Sequence, residues 1–301
     1  MRIVFFGTPD FAIPTLEAVA RAHEVVLVVA QPDKPAGRGM RLQAPAIAAK
    51  ARELGLLLAQ PPRIRNEDFL AEVRALAPDA GIVVAYGKIL PAALLEIPRY
   101  GFLNVHASVL PRYRGAAPIQ RAIEHGERET GVTIMRVDEE LDHGPILAVE
   151  TTPIDPDEHT PRLAARLSAL GAEALVRVLG DLERGIAVEM PQDHARATLA
   201  PKIEKSEGAI RWSDSTRAIY DKFRAFDPWP GVTAGELKLI DIQPVTGSGT
   251  PGTIVAIEDA VVVATGDGAL RLVALQRPGK PRVAAAGLAR GSGWKVGGPI
   301  S

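Results

Sequence analysis

The sequence predicts an α/β protein: a Rossmann-like, mostly parallel sheet with helices on both faces, followed by a small C-terminal β-barrel. Three observations carry that expectation. Over the first half of the chain short apolar runs alternate with helix-length segments, the pattern of βαβ units. Those runs are continuously apolar, as strands covered on both faces must be. The last third changes to short β-rich runs separated by Gly- and Pro-containing turns, which suits a small barrel.

In chain order, 2–6 reads as a buried strand ending at Gly7, followed by a helix to about Ala22 and a second strand over 25–30. A loop rich in Pro and Gly covers 32–39, and 44–54 reads as a helix. Strands at 56–59, 81–85 and 102–107 are separated by helical patterns at 67–76 and 91–95. From Gly131 a strand pair over 132–137 and 146–151 is joined by an acidic, Gly-containing loop. Thr160 starts a long helix whose apolar side is supplied by Leu163, Leu167, Leu170, Leu175 and Val178. The stretch 186–207 mixes prolines and charges without a firm period and reads as a linker between a first domain over 1–185 and a second over 208–301. In the second, strands are expected over 237–242, 252–257, 260–265 and 269–275, with turns at Gly266-Asp267-Gly268 and Pro278-Gly279.

Composition narrows the chemistry. At 301 residues the chain has room for two domains, at the ~100–200 residues usual for one. It has no cysteine, so disulfides, thiolate catalysis and Cys-based zinc sites are excluded. Its aliphatic runs are far shorter than the ~20 residues of a membrane helix, and its first residues lack a signal-peptide core. A soluble, intracellular protein with no membrane partner is the expectation. The net charge is −1, which argues against a surface devoted wholly to nucleic acid. The charge is unevenly placed, however. No acidic residue follows Asp267, while Arg271, Arg277, Lys280, Arg282, Arg290 and Lys295 do, and Lys34, Arg38 and Arg41 form a second basic group. A solvated face and a phosphate-binding face are both open readings.

A parallel sheet of this kind takes ligands at the carboxyl ends of its strands. The first such end, Gly7-Thr8-Pro9-Asp10, is not a dinucleotide fingerprint, and no P-loop occurs. The richest segment runs from Gly101 to Gly115. On a strand, residues two apart share a face, so Asn104 and His106, with Ser108 beyond them, project together opposite Leu103, Val105 and Ala107. An Asn amide can meet a developing oxyanion, and a neighbouring His can add a second donor or move a proton. A turn-forming Asn and a hydrogen-bonded core His are the alternatives that spacing leaves open. Asn104 is one of only two asparagines in the chain, with Asn66. The acidic groups nearest in sequence are Asp138, Glu139, Glu140 and Asp142; Gly144 and Pro145 rigidify the turn around Asp142, which on the residues alone reads first as an Asx-turn residue. No pair of histidines has metal-ligand spacing, and none of His23, His125, His159 or His194 has a pattern of its own.

Taken together, Phe6 to Phe11, Gln31 to Gly39, Val84 to Gly87, Asn104-Val105-His106, Ser108 to Gln120, Thr130 to Met135, Leu141-Asp142-His143-Gly144, Phe226 to Pro230 and Ala264 to Gly268 resemble the folate-dependent formyltransferases. The Arg114-Gly115-Ala116-Ala117-Pro118-Ile119-Gln120 run, the basic loop and the Pro228-Trp229-Pro230 segment are most similar to the methionyl-tRNA branch of that family. The resemblance implies transfer of a formyl group from 10-formyltetrahydrofolate to the amino group of methionine on initiator methionyl-tRNA, with no metal. It implies Asn104, His106 and Asp142 as catalytic residues, Ser108, Val109, Leu110 and Pro111 as folate-binding, and Lys34, Arg38 and Arg41 as tRNA-binding. It further implies an OB-like C-terminal barrel with additional phosphate contacts, and a cytoplasmic monomer. Rival readings are a formyltransferase of the same fold acting on a small amine, such as glycinamide ribonucleotide or an amino sugar nucleotide, a nicotinamide-dependent oxidoreductase, and a non-catalytic RNA-binding module.

Overall fold

The computed structural model describes residues 1–36 and 41–300. They form two compact units, one of residues 1–118, 129–153 and 164–200, the other of 119–128, 154–163 and 201–301.

The first unit contains nine strands: β1 (Arg2–Gly7), β2 (Glu24–Val29), β3 (Lys34–Ala36), β4 (Arg41–Gln43), β5 (Leu58–Ala59), β6 (Ala80–Val84), β7 (Phe102–His106), β8 (Glu129–Arg136) and β9 (Ile146–Pro153). The helices that accompany them are α1 (Ile13–Ala22), α2 (Ala46–Glu53), α3 (Glu67–Ala75), α4 (Ala92–Leu95) and α6 (Thr160–Arg184) from Ala164 onward; α5 (Pro118–Glu124) belongs, but for Pro118, to the second unit. Seven strands form one sheet in the order β5-β2-β1-β6-β7-β8-β9. The first five are parallel and the last two antiparallel. The chain winds outward from β1 through β2 to β5, then returns to β6 on the other side of β1. That reversal opens a crevice at the carboxyl ends of β1 and β6, beside β7.

Alternation along each strand supplies two cores. Ile3, Phe5, Leu103 and Val105 point to one face, against Leu16 and Val19 of α1, Ile47 and Ala51 of α2, and Leu175 and Val178 of α6. Val4, Phe6 and Phe102 point to the other, against Phe69 and Val73 of α3 and Leu94 of α4. Helices thus cover both faces, as the continuously apolar strands predicted. Asn66, the other asparagine, caps α3, its side chain accepting from the Asp68 amide at 3.2 Å.

Two departures from the sequence reading lie in this unit. Where only a loop was predicted over 32–39, β3 and β4 pair antiparallel, Lys34 opposite Gln43 and Ala36 opposite Arg41. The stretch predicted as linker is also bound in part to the first unit. Met190 exchanges both backbone hydrogen bonds with Ile146 at 2.8 Å. Residues 198–200 run parallel to the 111–117 loop: Arg114 N donates to Thr198 O at 2.8 Å, and Ala200 N to Arg114 O at 2.7 Å.

The second unit holds α7 (Thr216–Ala225), strands β10 (Val232–Ala234), β11 (Leu237–Val245), β12 (Ile254–Ile257), β13 (Val261–Ala264), β14 (Ala269–Gln276) and β15 (Val283–Ala284), and α8 (Ala285–Gly291). Its antiparallel sheet runs β10-β11-β14-β13-β12, with β15 beside β14. Among the described residues no ladder joins β10 to β12, so the barrel is not closed by pairing. α7 was not evident from sequence, although Ser215 caps it, accepting from Ala218 N at 3.1 Å. Its buried face carries Asp221 and Arg224 among Ile219, Tyr220 and Phe223, which breaks the apolar period. Arg224 is 1% exposed; it pairs with Asp221 and donates to Glu158 O at 2.8 Å, while Thr160 Oγ1 donates to Ala225 O at 2.7 Å. Among the described residues no helix is long and apolar enough to cross a membrane.

Candidate active site

β7 ends at the crevice, and its alternation sends Leu103 and Val105 into the α1/α2/α6 core. Phe102, Asn104 and His106 take the other face. β8 runs back alongside, Met135 opposite Asn104 and Thr133 opposite His106. Thr133 then steers the chain beyond the strand: its hydroxyl donates to Ser108 O at 2.7 Å and accepts from Leu110 N at 3.1 Å.

The three predicted catalytic side chains do come together. Asp142 Oδ1 lies 3.3 Å from Asn104 Nδ2, and Asp142 Oδ2 lies 3.6 Å from His106 Nδ1. A carboxylate only accepts, so it is the Asn104 nitrogen that faces it, and one of its two N–H bonds remains for another acceptor. His106 is 5% exposed, and its Nε2 sits 2.9 Å from the Tyr113 carbonyl. That carbonyl also only accepts, so Nε2 carries a proton and Nδ1 is left facing Asp142. At 3.6 Å the Nδ1–Oδ2 separation exceeds a hydrogen bond. Asp142 Oδ2 is held in addition by the Gly115 amide at 2.8 Å.

The local sequence explains this convergence. Asp142 adopts the left-handed conformation, φ 48°, tolerated by Asp because its short side chain bonds nearby backbone. The carboxylate is turned back over β7, onto Asn104 and His106. Gly144 permits the turn to sit against β8: a Cβ there would lie 2.2 Å from Arg136 O. Gly115, at φ 121°, passes Ala200 O where a Cβ would stand 2.8 Å away. Of the other acidic candidates, Asp138 accepts from His143 at 2.8 Å, and Glu139 and Glu140 are exposed.

The remaining predicted positions are placed differently. Ser108 is fully buried, its hydroxyl donating to Arg112 O at 2.6 Å, and Leu110 packs with Met135 and Ile146. Val109 and Pro111 are half-buried. Lys34 is exposed on β3. Arg41 begins β4, though its side chain, like the whole of Arg38, lies outside the described residues.

Several participants were not anticipated. The Gly115 amide and Tyr113 carbonyl are main-chain groups, which no side-chain motif reveals. Gln192 comes from the stretch read as linker, yet its Nε2 donates to Asp142 O at 2.9 Å and to Gly144 O at 2.8 Å. Arg114 donates to Gln192 Oε1 from Nη2 at 2.7 Å, and to His194 Nδ1 at 2.9 Å. His194, which had no pattern of its own, stacks on His143 with ring centres 4.0 Å apart. Among the described residues no group of three or more His, Asp or Glu side chains is arranged to hold a metal ion.

Residues 1–179 match the formyl transferase family, and residues 202–293 match the formyl transferase C-terminal domain. The methionyl-tRNA formyltransferase of Deinococcus radiodurans is 48% identical over 285 residues, covering 93% of this chain and 89% of that protein. That of Thermus thermophilus is 46% identical over 302 residues, covering 99% and 98%. Among solved structures, an N-formyltransferase from Helicobacter canadensis, in complex with folinic acid and dTDP-3-aminofucose, superposes with a TM-score of 0.70 at 16% identity over 90% of this chain and 98% of that one. HypX from Aquifex aeolicus in complex with tetrahydrofolic acid gives 0.65 at 22% identity; 96% of this chain is covered, but only 47% of HypX, so this chain spans about half its length. At these identities the two structures speak for the fold. The match over both domains and nearly the full length of the relatives places the chain in the formyl transferase family, among the methionyl-tRNA formyltransferases.

Proposed function

We propose that this chain transfers the formyl group of 10-formyltetrahydrofolate to the amino group of methionine on initiator methionyl-tRNA, yielding the formylmethionyl-tRNA of translation initiation. The observation that carries the reading is the convergence of Asn104, His106 and Asp142 at the end of β7, in a chain whose relatives bear that activity in their names.

The acceptor brings its own nucleophile, an amine, so no Ser or Cys nucleophile is needed. The donor, when bound, supplies an activated formyl group. The loop after β7 fits such a ligand: its Ser108 hydroxyl and Thr133 contacts are satisfied internally, leaving the half-buried Val109 and Pro111 side chains to pack against the ring system of the folate. Ser108, Val109, Leu110 and Pro111 are proposed to hold it, Ser108 and Leu110 by fixing the loop's shape. As the amine attacks, the formyl oxygen gathers negative charge. The second N–H of Asn104, and Nδ1–H of His106 when the ring is protonated, are the donors that meet it. Asp142 orients the imidazole and takes up the proton that the amine releases, directly or through water; the tetrahedral adduct then collapses with cleavage of the bond from the formyl carbon to N10 of the folate, and a proton is returned to that nitrogen as tetrahydrofolate leaves.

Lys34 on β3, Arg41 at the start of β4 and Arg38, which lies outside the described residues, are proposed to meet the acceptor arm of the tRNA. Residues 1–185 are proposed as the catalytic domain, together with the part of the 186–207 connection up to Ala200 that is bound to it, and 208–301 as the tRNA-binding domain. The reading extends to a cytoplasmic monomer: the acceptor is found where ribosomes work, and all three catalytic residues come from one chain.

The test is formyl transfer from 10-formyltetrahydrofolate to methionyl initiator tRNA, with methionyl elongator tRNA in parallel. Formylation of the initiator alone is expected. A folded, folate-binding sample that formylates neither overturns the reading.

A further inference from the structure

We propose that Gln192 is a positioning residue for the reaction, clamping the Asp142 turn, and that Arg114 holds Gln192 in place. The inference rests on the reading of Asp142 as the catalytic carboxylate.

Asp142 reaches Asn104 and His106 only because its backbone is left-handed, at φ 48°, a conformation that an L residue leaves readily unless its surroundings over-determine it. Gln192 supplies the restraint. Its amide nitrogen donates to both carbonyls of the turn, Asp142 O at 2.9 Å and Gly144 O at 2.8 Å. Its Oε1 accepts from Arg114 Nε at 3.2 Å and Nη2 at 2.7 Å. Carbonyls only accept and a guanidinium only donates, so the amide has one orientation and its hydrogen-bonding capacity is full. Gln192 is 6% and Arg114 9% exposed, so water does not readily replace these bonds.

The arrangement closes on itself. Arg114 is fixed through its own main chain to Thr198 and Ala200. The next residue, Gly115, donates to Asp142 Oδ2 at 2.8 Å. Asp142 is thus held at its carbonyl through Gln192 and at its carboxylate through Gly115, while Gly144 abuts Arg136 O on the turn's far side. Without the two Gln192 donors the turn is free to relax toward negative φ, and the carboxylate leaves His106.

The test uses Gln192→Glu and Gln192→Ala, each in the wild-type and Asp142→Asn backgrounds. Gln192→Glu retains the size and the Arg114 pairing but removes both N–H donors, and it carries the test if Gln192→Ala does not fold. In the wild-type background kcat should fall about 10- to 100-fold, with KM for both substrates unchanged. In the Asp142→Asn background the same substitution should cost nothing further, because no carboxylate remains to position. A merely structural role would lower kcat equally in both backgrounds, and that outcome overturns the proposal, as does wild-type turnover by Gln192→Glu. If Asp142→Asn itself turns over normally, the catalytic reading of Asp142 fails and the clamp falls with it. Slow turnover by Asp142→Asn with fast turnover by Gln192→Glu removes the clamp alone.

Discussion

Asn104 has two amide N–H bonds, and Asp142 takes only one of them. The other is the neutral donor available to a formyl oxygen, which gives Asn104→Ala a definite expectation. Losing one preorganised oxyanion donor lowers kcat by about 10²–10³. Far-ultraviolet circular dichroism should be unchanged, since among the described residues the Asn104 side chain hydrogen-bonds only to Asp142. Turnover close to normal in that variant would remove Asn104 from the mechanism. Tyr86 sets a second, independent expectation. Its carbonyl accepts from Thr8 Oγ1 at 3.0 Å and Gln31 Nε2 at 3.1 Å, but its buried hydroxyl has no partner among the described residues. Burial pushes the phenol up to about 12 from its ordinary 10.0. Below pH 10 the folded and unfolded chains hold this proton alike. As pH rises from 10 toward 12 only the unfolded chain releases it, so stability falls across that window. Tyr86→Phe removes an unpaired buried hydroxyl, which should raise stability at neutral pH by about 1–3 kcal/mol. It should also flatten the alkaline loss, leaving the share of Tyr220, which desolvation and the Asp157 hydrogen bond likewise push up to about 12. Urea melts at pH 8 and pH 11 measure both effects, and a less stable Tyr86→Phe would contradict them.

At the scale of elements, the turn from Leu141 to Pro145 decides whether the site exists. Gly144→Ala places a methyl 2.2 Å from Arg136 O, and backbone cannot yield there as a flexible side chain would. The turn must lift from β8, and a displacement of about 1 Å at the carboxylate costs on the order of 10² in kcat. Single-turnover rates check this, with the thermal midpoint separating it from global unfolding. β7 was legible in the sequence because a period of two sorts Leu103 and Val105 from Asn104 and His106 without any tertiary information. The Asp142 turn was legible through Gly144 and Pro145, although its left-handed backbone was not. Other elements were hidden for physical reasons. α7 buries Asp221 and Arg224 as a pair, so its inner face does not read as apolar. The β3–β4 pairing is made by two three-residue strands in a stretch of sequence rich in Pro and Gly, a composition that also describes a loop. Residues 186–200 have no period because backbone hydrogen bonds hold much of the segment, among them those of Met190 and Ala200. Gln192 was illegible for the same reason: its partners are two carbonyls and an arginine from distant sequence.

For the whole molecule, a net charge of −1 means that attraction to RNA is a matter of where the cations lie. The acid-free stretch after Asp267 is not uniformly available. Arg271 is engaged by Asp259 at 2.5 Å and is half-buried, whereas Arg277 is exposed and donates to the neutral Ser292 hydroxyl at 3.0 Å. Lys280, Arg282, Arg290 and Lys295 are exposed, as is Lys34 on β3. Each cation that meets a phosphate releases counterions, so its removal flattens the slope of log K against log salt by about 0.7–0.9. Arg38→Ala and Lys34→Ala are expected to show that change if these two residues meet the acceptor arm, and Arg282→Ala if the second unit adds phosphate contacts. Arg271→Ala should leave the slope where it was, because its charge is already matched by Asp259. The measurement is a filter-binding or anisotropy titration of initiator tRNA between low and physiological salt. A chain that uses only its net charge would lose the same small increment in all four variants. A chain that uses placed cations separates Arg271 from the others, and an unchanged slope in Arg38→Ala removes that residue from the tRNA-binding surface.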